Sequence, residues 1–319
     1  MGIHICRYRY DNSISWGVVQ ENSIHRVGGH DTLEAFLMHG KAEAFQLDTS
    51  GIGINLGDVE LLSPVTHPCS IVCQGLNYDD HRKESGVSTR SRPSFNMMFM
   101  KASSSLSAPH GDIVRPEGVQ LLDYELELGL IIGRKITGQV AITEETATDY
   151  IDGIVMTNDV SARDLQIPQQ QWFKGKSFRT FCPTGPFIYL FEPGEFDRLR
   201  DIDIRLEVNG RVRQEANTCQ LIFQPWETVN ELSSIMDLHP GDLVMTGTPG
   251  GVALNVPPAS VQRIMRFVLG ERLLMKMFLK KQRAQPHYLQ DGDVITSTMR
   301  SPDGSIDLGM MRQSVVVGD

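Results

Sequence analysis

The sequence lacks any apolar run long enough to cross a bilayer, which argues against a transmembrane protein. Its N-terminus lacks the charged-then-apolar pattern of a secretion signal. Cysteine is scarce as well, because the chain has only five, an odd number, scattered without the spacing of a metal site. We therefore expect free thiols and a cytoplasmic location.

Basic residues are in deficit, since 30 lysines and arginines face 39 aspartates and glutamates and the formal net charge is −9. A nucleic-acid partner would need a basic face for its phosphates, so this balance argues against one. Internal repeats and low-complexity segments are absent too. What remains is the composition of an ordinary soluble enzyme, with 319 residues, 40% hydrophobic and 22% charged.

Short alternating segments separated by Gly, Pro and Asn turns predict a mostly β protein with few helices, of the α+β class. Residues 1–64 read as a small β-rich N-terminal domain, and a proline-containing linker there predicts a second domain over 65–319. The Asn209-Gly210 pair is typical of a tight hairpin turn. One helix is predicted from Trp226 to Met236.

Residues 259–283 form a contrasting stretch that is prone to helix formation and rich in Leu, Met and Phe. A basic amphipathic helix can lie on a membrane surface or bind a partner. In a chain this acidic, however, we favour an extra helical segment packed on its own protein or on a subunit partner. The segment has a single acidic residue, Glu271, and its basic residues are Arg263, Arg266, Arg272, Lys276, Lys280, Lys281 and Arg283.

An acidic pattern marks the stretch from Leu121 to Ile132, which alternates as a β-strand and continues into an apolar run typical of burial on both faces. Asp123, Glu125 and Glu127 would share one face of that strand. Buried carboxylates repel each other and lose hydration unless a cation neutralises them, and Mg²⁺ or Ca²⁺ does so with oxygen ligands. An exposed acidic edge is the alternative that this stretch alone leaves open.

Two further clusters carry groups suited to proton transfer or charge. His81 and Glu84 stand three residues apart, so on a helix they would share a face and could form a general-base dyad. A surface ion pair is the simpler interpretation of that spacing. Lys101 is a single lysine that ends an apolar strand, and a surface position is its simpler interpretation.

The remaining clusters lie further along the chain. Asp159 ends a predicted strand and could supply a third carboxylate, and Arg163 and Gln166 follow at helical spacing. Lys176 lies in an aromatic, glycine-containing stretch that suits an anionic group. The Gly-rich turn at 247–251 follows a strand, and its backbone N–H groups could face an anion.

Together these motifs resemble the fumarylacetoacetate hydrolase family, in family order across about residues 62–257, with the family's closing strands at 291–317. The matching motifs are Gly-Leu-Asn-Tyr, Leu-Asp-Tyr-Glu-Leu-Glu-Leu, Asn-Asp-Val-Ser-Ala-Arg-Asp-Leu-Gln, Gly-Lys-Ser-Phe and Gly-Thr-Pro-Gly-Gly-Val. The resemblance implies a mixed β-roll catalytic domain, a small N-terminal domain, a homodimer, and Mg²⁺ or Mn²⁺, with Ca²⁺ in some members.

The resemblance also implies roles for particular residues of this chain. The metal ligands would be Glu125, Glu127 and Asp159. Asp123 shares a face with the two glutamates but sits one step further along the predicted strand, and this position favours a structural role for it. The catalytic groups would be a base dyad on a lid and three polar oxyanion groups, namely His81, Glu84, Arg163, Gln166 and Lys176. The substrate contacts would be Tyr78, Lys101, Arg179 and Thr248.

The activity implied is hydrolysis of a C–C bond in a small anionic 1,3-diketo acid of the acylpyruvate or fumarylpyruvate type, through a metal-stabilised enolate. Decarboxylation or tautomerisation of oxaloacetate-like or dienoic diacids is an alternative, as is a non-catalytic relative that binds a partner through the basic segment. The chain departs from many relatives at Arg179, where they carry Asp after Gly-Lys-Ser-Phe. A buried charge reversal there would need a new partner, which would be either an additional substrate carboxylate or a changed pocket wall.

Overall fold

The computed structural model describes residues 1–257 and 270–318 of the chain. Strands dominate and helices are short, which confirms the predicted mostly β, α+β class. The strands of the first part of the chain are β1 Ile3–Tyr10, β2 Ser13–Gln20, β3 Ser23–Gly28, β4 Ile54–Asn55, β5 Glu60–Leu62, β6 Ile71–Gly75, β7 Met97–Lys101, β8 Leu106–Ser107, β9 His110–Arg115 and β10 Leu122–Asp123. Those of the second part are β11 Leu126–Ile132, β12 Ile151–Asn158, β13 Ser161–Ala162, β14 Cys182–Leu190, β15 Asp203–Val208, β16 Arg211–Asn217, β17 Leu243–Met245, β18 Val294–Arg300 and β19 Asp307–Val317.

The α-helices are α1 Leu33–Ala35, which continues through a π-helical turn Phe36–Gly40 into α2 Lys41–Gln46, then α3 Asp79–Glu84, α4 Arg163–Gln169, α5 Trp172–Lys176, α6 Pro225–Ser233 and α7 Glu271–Arg283. Short 3-10 turns lie at Leu56–Asp58, Ser103–Ser105, Ala147–Asp149, Phe196–Arg200 and Thr218–Gln220. Helix α6 confirms the helix predicted from Trp226 but ends earlier, at Ser233.

Twelve of the described strands form one sheet, with the main order β4-β3-β2-β1-β14-β12-β11-β17-β6-β7, β5 beside β1 and β8 beside β14. The strands of the first 64 residues join the rest through β1 and β14, where Ile3 lies opposite Leu190. The domain boundary at residue 64 and the homodimer stay predictions.

A second sheet of five described strands has the order β16-β15-β18-β19-β9. Its β15–β16 connection confirms the predicted hairpin turn, because Asn209 and Gly210 both have positive φ, 52° and 73°. Apolar side chains of this sheet, such as Leu206 and Met311, share one buried cluster with Leu128 of β11. The main core therefore involves both sheets.

Strand β11 is buried on both faces, as its sequence predicts, since all seven residues are buried. Leu126, Leu128 and Leu130 belong to the main core, whereas Ile131 belongs to a second cluster that includes Trp16 and Phe36. Alternation along the strand thus sends successive side chains into two different cores, and Glu127 lies on the same face as Ile131.

The prediction of one continuous acidic strand is wrong, because the strand breaks at Tyr124 and Glu125. The two residues before the break, β10, pair with β13 in a separate two-stranded ladder, whereas β11 pairs with β12. The break lets Glu125 leave the strand, and its carbonyl accepts a hydrogen bond of 2.8 Å from the Asp159 backbone N–H.

The predicted extra helical segment over 259–283 is described from residue 270 onward, and there it forms helix α7, Glu271–Arg283. Its earlier residues, up to 269, lie outside the described part of the chain. Within the ranges described, none of the helices combines the length and apolar character needed to cross a bilayer.

Candidate metal and active site

Three buried carboxylates converge at the ends of β11 and β12. Glu125 lies in the break before β11, Glu127 lies on β11, and Asp159 directly follows β12. One carboxylate oxygen from each lies within 4.8 Å of the others. The antiparallel register that places Leu126 opposite Asn158 brings the three side chains together. The structure therefore assembles the residues that the sequence proposes as metal ligands.

Two of these carboxylates are neutralised by buried lysines. Lys176 of α5 donates a hydrogen bond of 2.5 Å to Asp159 Oδ2 and another to Glu125 Oε2. Lys101, at the end of β7, donates to Asp159 Oδ1 at 2.5 Å and to the Phe181 carbonyl at 2.7 Å. Burial alone would lower the pKa of either lysine, but the neighbouring carboxylates outweigh it and raise the pKa of both.

Arg163, the first residue of α4, binds Glu125 from the other side. It donates to Glu125 Oε1 through one terminal nitrogen, to Gln166 Oε1 at 2.8 Å through the other, and to Asp123 Oδ2 at 2.8 Å through Nε. Burial acts to raise the pKa of Glu125, but Arg163 and Lys176 together hold that pKa below its ordinary value. Glu125 is therefore ionised and firmly oriented.

Asp123 has the structural role that its position suggests. Besides Arg163, its carboxylate accepts hydrogen bonds from the backbone N–H groups of Ala253 at 2.8 Å and Leu254 at 3.1 Å. It thereby connects the arginine beside the candidate ligands to the loop that follows the Gly-rich turn.

Glu127 is the carboxylate with the least compensation. Its Oε2 accepts a hydrogen bond of 2.8 Å from the Gly247 N–H, and the described residues offer it neither a lysine nor an arginine partner. Burial, followed by repulsion from Asp159 and Glu125, raises the pKa of Glu127 well above its ordinary value. This side chain therefore favours the protonated form unless a cation is bound beside it.

His81 and Glu84 share one face of α3, as their spacing predicts, but the predicted hydrogen bond between them is not formed. The nearest oxygen of Glu84 lies 3.9 Å from His81 Nδ1, beyond hydrogen-bond range. The Nδ1 atom is buried without a hydrogen-bond partner among the described residues. Glu84 instead accepts hydrogen bonds of 2.9 and 3.0 Å from the Gly251 N–H.

The Gly-rich turn does direct backbone N–H groups at anions, and these anions are carboxylates of the protein itself. Gly247 donates to Glu127 and Gly251 donates to Glu84. Both glycines have positive φ, 87° and 102°, a conformation that other residues rarely adopt. The turn therefore connects the candidate metal ligands to the helix that carries His81.

A cavity of about 300 Å³ opens at the carboxylates. Its polar wall includes Glu125 and Glu127 together with four predicted catalytic or substrate-binding residues, His81, Arg163, Gln166 and Lys176. Thr248 also lines it, although the Thr248 hydroxyl already donates to the Leu126 carbonyl at 3.0 Å. This volume suits a small organic acid.

Three predicted substrate contacts lie elsewhere. Lys101 is fully buried behind Asp159 and is not part of the cavity wall, so it neutralises that carboxylate instead. Tyr78 is buried and lines a neighbouring cavity on the far side of α3, with Glu84 and Arg213. Arg179 is exposed and lines neither cavity, so the expected buried charge reversal is wrong.

The cavity also has an apolar wall that the sequence motifs did not indicate. Phe99 and Trp172 meet edge to face with ring centroids 5.0 Å apart, and Ile167 and Leu254 lie beside the polar groups. Trp172 begins α5, the helix that ends in Lys176. An aromatic residue four positions before the candidate oxyanion lysine is the sequence feature that could have indicated this apolar wall.

The donor set fits a divalent cation. Four buried carboxylates, including Asp123, face three buried cations, Lys101, Arg163 and Lys176, so that one negative charge remains when all four carboxylates are ionised. The remaining charge lies on Glu127, which has no ion pair with any described residue. The candidate ligand atoms are carboxylate oxygens, the hard donors that Mg²⁺, Mn²⁺ and Ca²⁺ prefer.

Comparison with known proteins identifies the class. The family model described as fumarylacetoacetate (FAA) hydrolase C-terminal matches residues 70–316, and a model described as Rv2993c-like, N-terminal, matches residues 3–64. Since the first match covers most of the chain, the protein belongs to the fumarylacetoacetate hydrolase family.

Relatives of known name differ in activity. A 2,4-didehydro-3-deoxy-L-rhamnonate hydrolase of Sphingomonas sp. is 38% identical, over 69% of this chain and 75% of its own length. A mitochondrial oxaloacetate tautomerase of Bos taurus is 36% identical, over 65% of this chain and 64% of its own.

Solved structures agree on the fold. A fumarylacetoacetate hydrolase from Exiguobacterium antarcticum has a TM-score of 0.74 at 29% identity, covering 99% of this chain and 100% of that one. A 2-hydroxyhepta-2,4-diene-1,7-dioate isomerase from Mycobacterium marinum has a TM-score of 0.69 at 25% identity, covering 99% and 98%. The protein is therefore an enzyme of a family whose members include hydrolases, isomerases and tautomerases.

Proposed function

We propose that the protein is a divalent-metal-dependent hydrolase that cleaves a C–C bond of an acylpyruvate-type 1,3-diketo acid. The observation that carries this proposal is the Glu125, Glu127 and Asp159 cluster, which shares one small cavity with the imidazole of His81. With Glu127 ionised, the four buried carboxylates and their three cations have one excess negative charge. A bound divalent cation would reverse that charge to a single positive one, which suits an anionic keto acid.

A cation held by the three carboxylates would supply Lewis-acid polarisation of the keto acid's oxygens. The other steps belong to this chain's own residues. His81 lines the cavity with an imidazole suited to take a proton from water. The resulting hydroxide attacks the carbonyl carbon remote from the carboxylate. The C–C bond to the central carbon then breaks, and its electron pair leaves with the pyruvate fragment as an enolate.

The proton taken by His81 returns to the central carbon, so the products are pyruvate and a carboxylic acid, and one water is consumed. Glu84 is too distant in this structure to hydrogen-bond the imidazole, since its nearest oxygen lies 3.9 Å from His81 Nδ1. Catalytic contacts are often looser before substrate binds, and this pair is expected to shorten in the complex.

Gln166 is the best oxyanion donor in the cavity. Its Oε1 accepts from Arg163 at 2.8 Å, and this hydrogen bond fixes the orientation of the amide. The Nε2 group, with no hydrogen-bond partner in the described part of the chain, remains available for substrate. Lys176 and Arg163 already donate hydrogen bonds to carboxylates of the protein. Their contribution to oxyanion stabilisation is therefore mainly their positive electrostatic potential.

Tautomerisation of an oxaloacetate-like acid is a second candidate, supported by the named tautomerase relatives. It needs only a proton shuttle between carbon and oxygen, which His81 could provide without an attacking water. Decarboxylation of the same acid would also need no attacking water.

Product analysis distinguishes these reactions. Metal-stripped protein would be re-supplied with Mg²⁺ or Mn²⁺ and incubated with acylpyruvates, oxaloacetate and dienoic diacids. We expect stoichiometric pyruvate and carboxylic acid from an acylpyruvate. Release of carbon dioxide from oxaloacetate would show that the enzyme is a decarboxylase instead. Interconversion of the enol and keto forms of oxaloacetate, with neither carbon dioxide nor pyruvate formed, would show that it is a tautomerase. Absence of metal-dependent turnover on every compound would contradict the whole proposal.

A further inference from the structure

Gln74 carries a polar atom for which the described protein provides no partner. The residue lies on β6, is 2% exposed and is one of those that line the catalytic cavity. Its side-chain oxygen, Oε1, is buried and has no hydrogen-bond partner among the described residues. A buried carbonyl oxygen that stays unpaired costs stability, and such atoms are uncommon in folded proteins. A hydrogen-bond donor on a bound ligand would satisfy it.

A chain of hydrogen bonds on the other branch of the Gln74 amide fixes its orientation. The Thr228 hydroxyl donates its one hydrogen to the Gln224 carbonyl at 3.4 Å, so it accepts from Asn96 Nδ2 at 3.3 Å. The Asn96 oxygen then accepts from Gln74 Nε2 at 2.9 Å. None of these three partners lines the cavity, so the chain leads away from it. The atom of Gln74 left over is therefore the oxygen, which can only accept a hydrogen bond.

The catalytic cavity distinguishes Gln74 from most other residues with an unpaired buried atom. Such atoms occur at several places in the described part of the chain, but only two of the residues that carry them line this cavity. One is His81, the proposed base, whose imidazole acts on the reactants. The other is Gln74. Its position beside the reacting groups favours a role in substrate binding over an unfilled contact of the core.

The surroundings of Gln74 suit an uncharged substrate group. Gly75, the next residue, also lines the cavity and lies so close to Trp172 of the apolar wall that an added Cβ would be 2.8 Å from the indole ring. Lys176 and Arg163 are the only lysine and arginine of the described cavity lining, and both bind carboxylates of the protein. A neutral hydroxyl group needs neither of them, because it can donate to Oε1 while its carbon chain lies on the apolar wall.

We propose that Gln74 Oε1 accepts a hydrogen bond from a hydroxyl group on the acyl part of the substrate. The keto-acid end of the substrate belongs at the three candidate metal ligands. Gln74 has no hydrogen bond to any of these carboxylates, so it meets the other end. The inference rests on the proposed function and narrows its substrate class to hydroxylated acylpyruvates. Gln74 is thereby a residue that determines specificity.

Inert analogues measure this preference without turnover. N-Alkyl oxamates keep the carboxylate and adjacent carbonyl of a 2-keto acid and lack the C–C bond to be cleaved. N-(ω-Hydroxyalkyl) oxamates add the hydroxyl group, and N-(ω-fluoroalkyl) oxamates replace it by a fluorine of similar size that cannot donate. Titration calorimetry would compare the three over a series of chain lengths, in protein loaded with Mg²⁺ or Mn²⁺. At the best length we expect the hydroxylated compound to bind about five- to fiftyfold more tightly than the other two, because it pairs an oxygen that is already buried.

The variant Gln74→Met replaces the amide by an apolar side chain of similar length. It should lose the preference for the hydroxylated compound and keep the affinity for the alkyl compound. The ratio of the two affinities is the readout, so a general weakening of binding does not imitate the expected result. Gln20→Met is the matched control, because Gln20 is exposed and does not line the cavity, and it should change neither affinity.

Three results would overturn the proposal. Equal binding of the hydroxylated and alkyl compounds to the unaltered protein would show that the substrate does not pair with Oε1. Equal binding of the hydroxylated and fluorinated compounds would show that no hydrogen is donated to that oxygen. A preference that survives Gln74→Met would place the partner of the hydroxyl group on another residue.

The two proposals fail in different ways. A hydroxyl preference without hydrolysis of any acylpyruvate would contradict the hydrolase and support the role of Gln74. Hydrolysis of acylpyruvates together with equal binding of the hydroxylated and alkyl compounds would do the reverse. If none of the three oxamates binds the metal-loaded protein, the keto-acid site is wrong and the role of Gln74 falls with it.

Discussion

Lys176 bridges two of the three candidate metal ligands, because its ammonium group donates to Asp159 at 2.5 Å and also to Glu125. All three side chains are buried. In this position the lysine neutralises carboxylates that would otherwise repel each other in a medium of low polarity. It leaves Glu127 as the ligand with no cation partner among the described residues.

Replacing Lys176 by methionine should destabilise the metal-free protein by about 3 kcal/mol, because two buried carboxylates lose their partner. The loss should shrink when Mg²⁺ or Mn²⁺ is added, since the metal restores positive charge. Chemical unfolding with and without metal measures both effects. Lys174→Met is the control, as Lys174 is an exposed residue of the same helix and its loss should change stability by less than about 0.5 kcal/mol.

The raised pKa of Glu127 gives the metal-free protein a pH-dependent stability. The folded chain retains a proton on Glu127 that the unfolded chain releases above about pH 4.5, the ordinary pKa of a glutamate. The stability from this group is therefore fully present below that pH and is lost as the pH rises toward the folded-state pKa.

The variant Glu127→Gln tests whether the stability of the metal-free protein falls as the pH rises. Glutamine can still accept the Gly247 hydrogen bond, but it does not titrate, so the metal-free variant should be the more stable protein at neutral pH. Urea unfolding of both metal-free proteins over a pH series should show their stabilities converging at acid pH. A difference that stays constant with pH would show that Glu127 does not titrate as described.

Replacing His81 by alanine should lower kcat by about a hundredfold or more and leave metal binding unchanged, because the imidazole lines the cavity but forms no hydrogen bond or ion pair with the three described carboxylate ligands. His239→Ala, an exposed histidine, should retain full activity. Steady-state kinetics with a parallel metal titration checks both. Full turnover in His81→Ala would eliminate His81 as the base.

Gly251 offers a separate test of how α3 is held. An added Cβ at this position would lie 1.9 Å from the Arg213 carbonyl oxygen, and φ is +102°. Gly251→Ala should therefore shift the turn, weaken the hydrogen bonds to Glu84 and cost about 1–3 kcal/mol of stability. Gly29→Ala, where a Cβ meets nothing within 4 Å, should be nearly neutral. Thermal unfolding and activity of the two variants can be compared directly.

The sequence predicted the parts of the site that depend on local pattern. The alternation in Glu125-Leu126-Glu127, the spacing of His81 and Glu84, and the helical pair Arg163 and Gln166 all need only short-range geometry. The structure brings Glu125, Glu127, His81, Arg163 and Gln166 to one cavity wall, with Asp159 beside them.

The long-range pairings could not be read from local pattern. Lys101 resembled a surface residue or a substrate contact, yet it meets Asp159, 58 positions away, in the interior. Arg179 follows a family motif and still turns to solvent, because burial depends on the packing of distant elements. Asp123, where the strand breaks, accepts a hydrogen bond from the backbone of a loop 130 positions later, a contact that local pattern does not reveal.

Equilibrium binding of Mn²⁺ to the metal-stripped protein, followed by electron paramagnetic resonance of the free ion, tests the central claim that the three carboxylates form a divalent-metal centre. We predict one Mn²⁺ per chain, displaced by Mg²⁺, lost in Asp159→Asn and in Glu127→Gln, and retained in the exposed control Glu231→Gln. No saturable binding, or equal binding in all of these variants, would contradict the account.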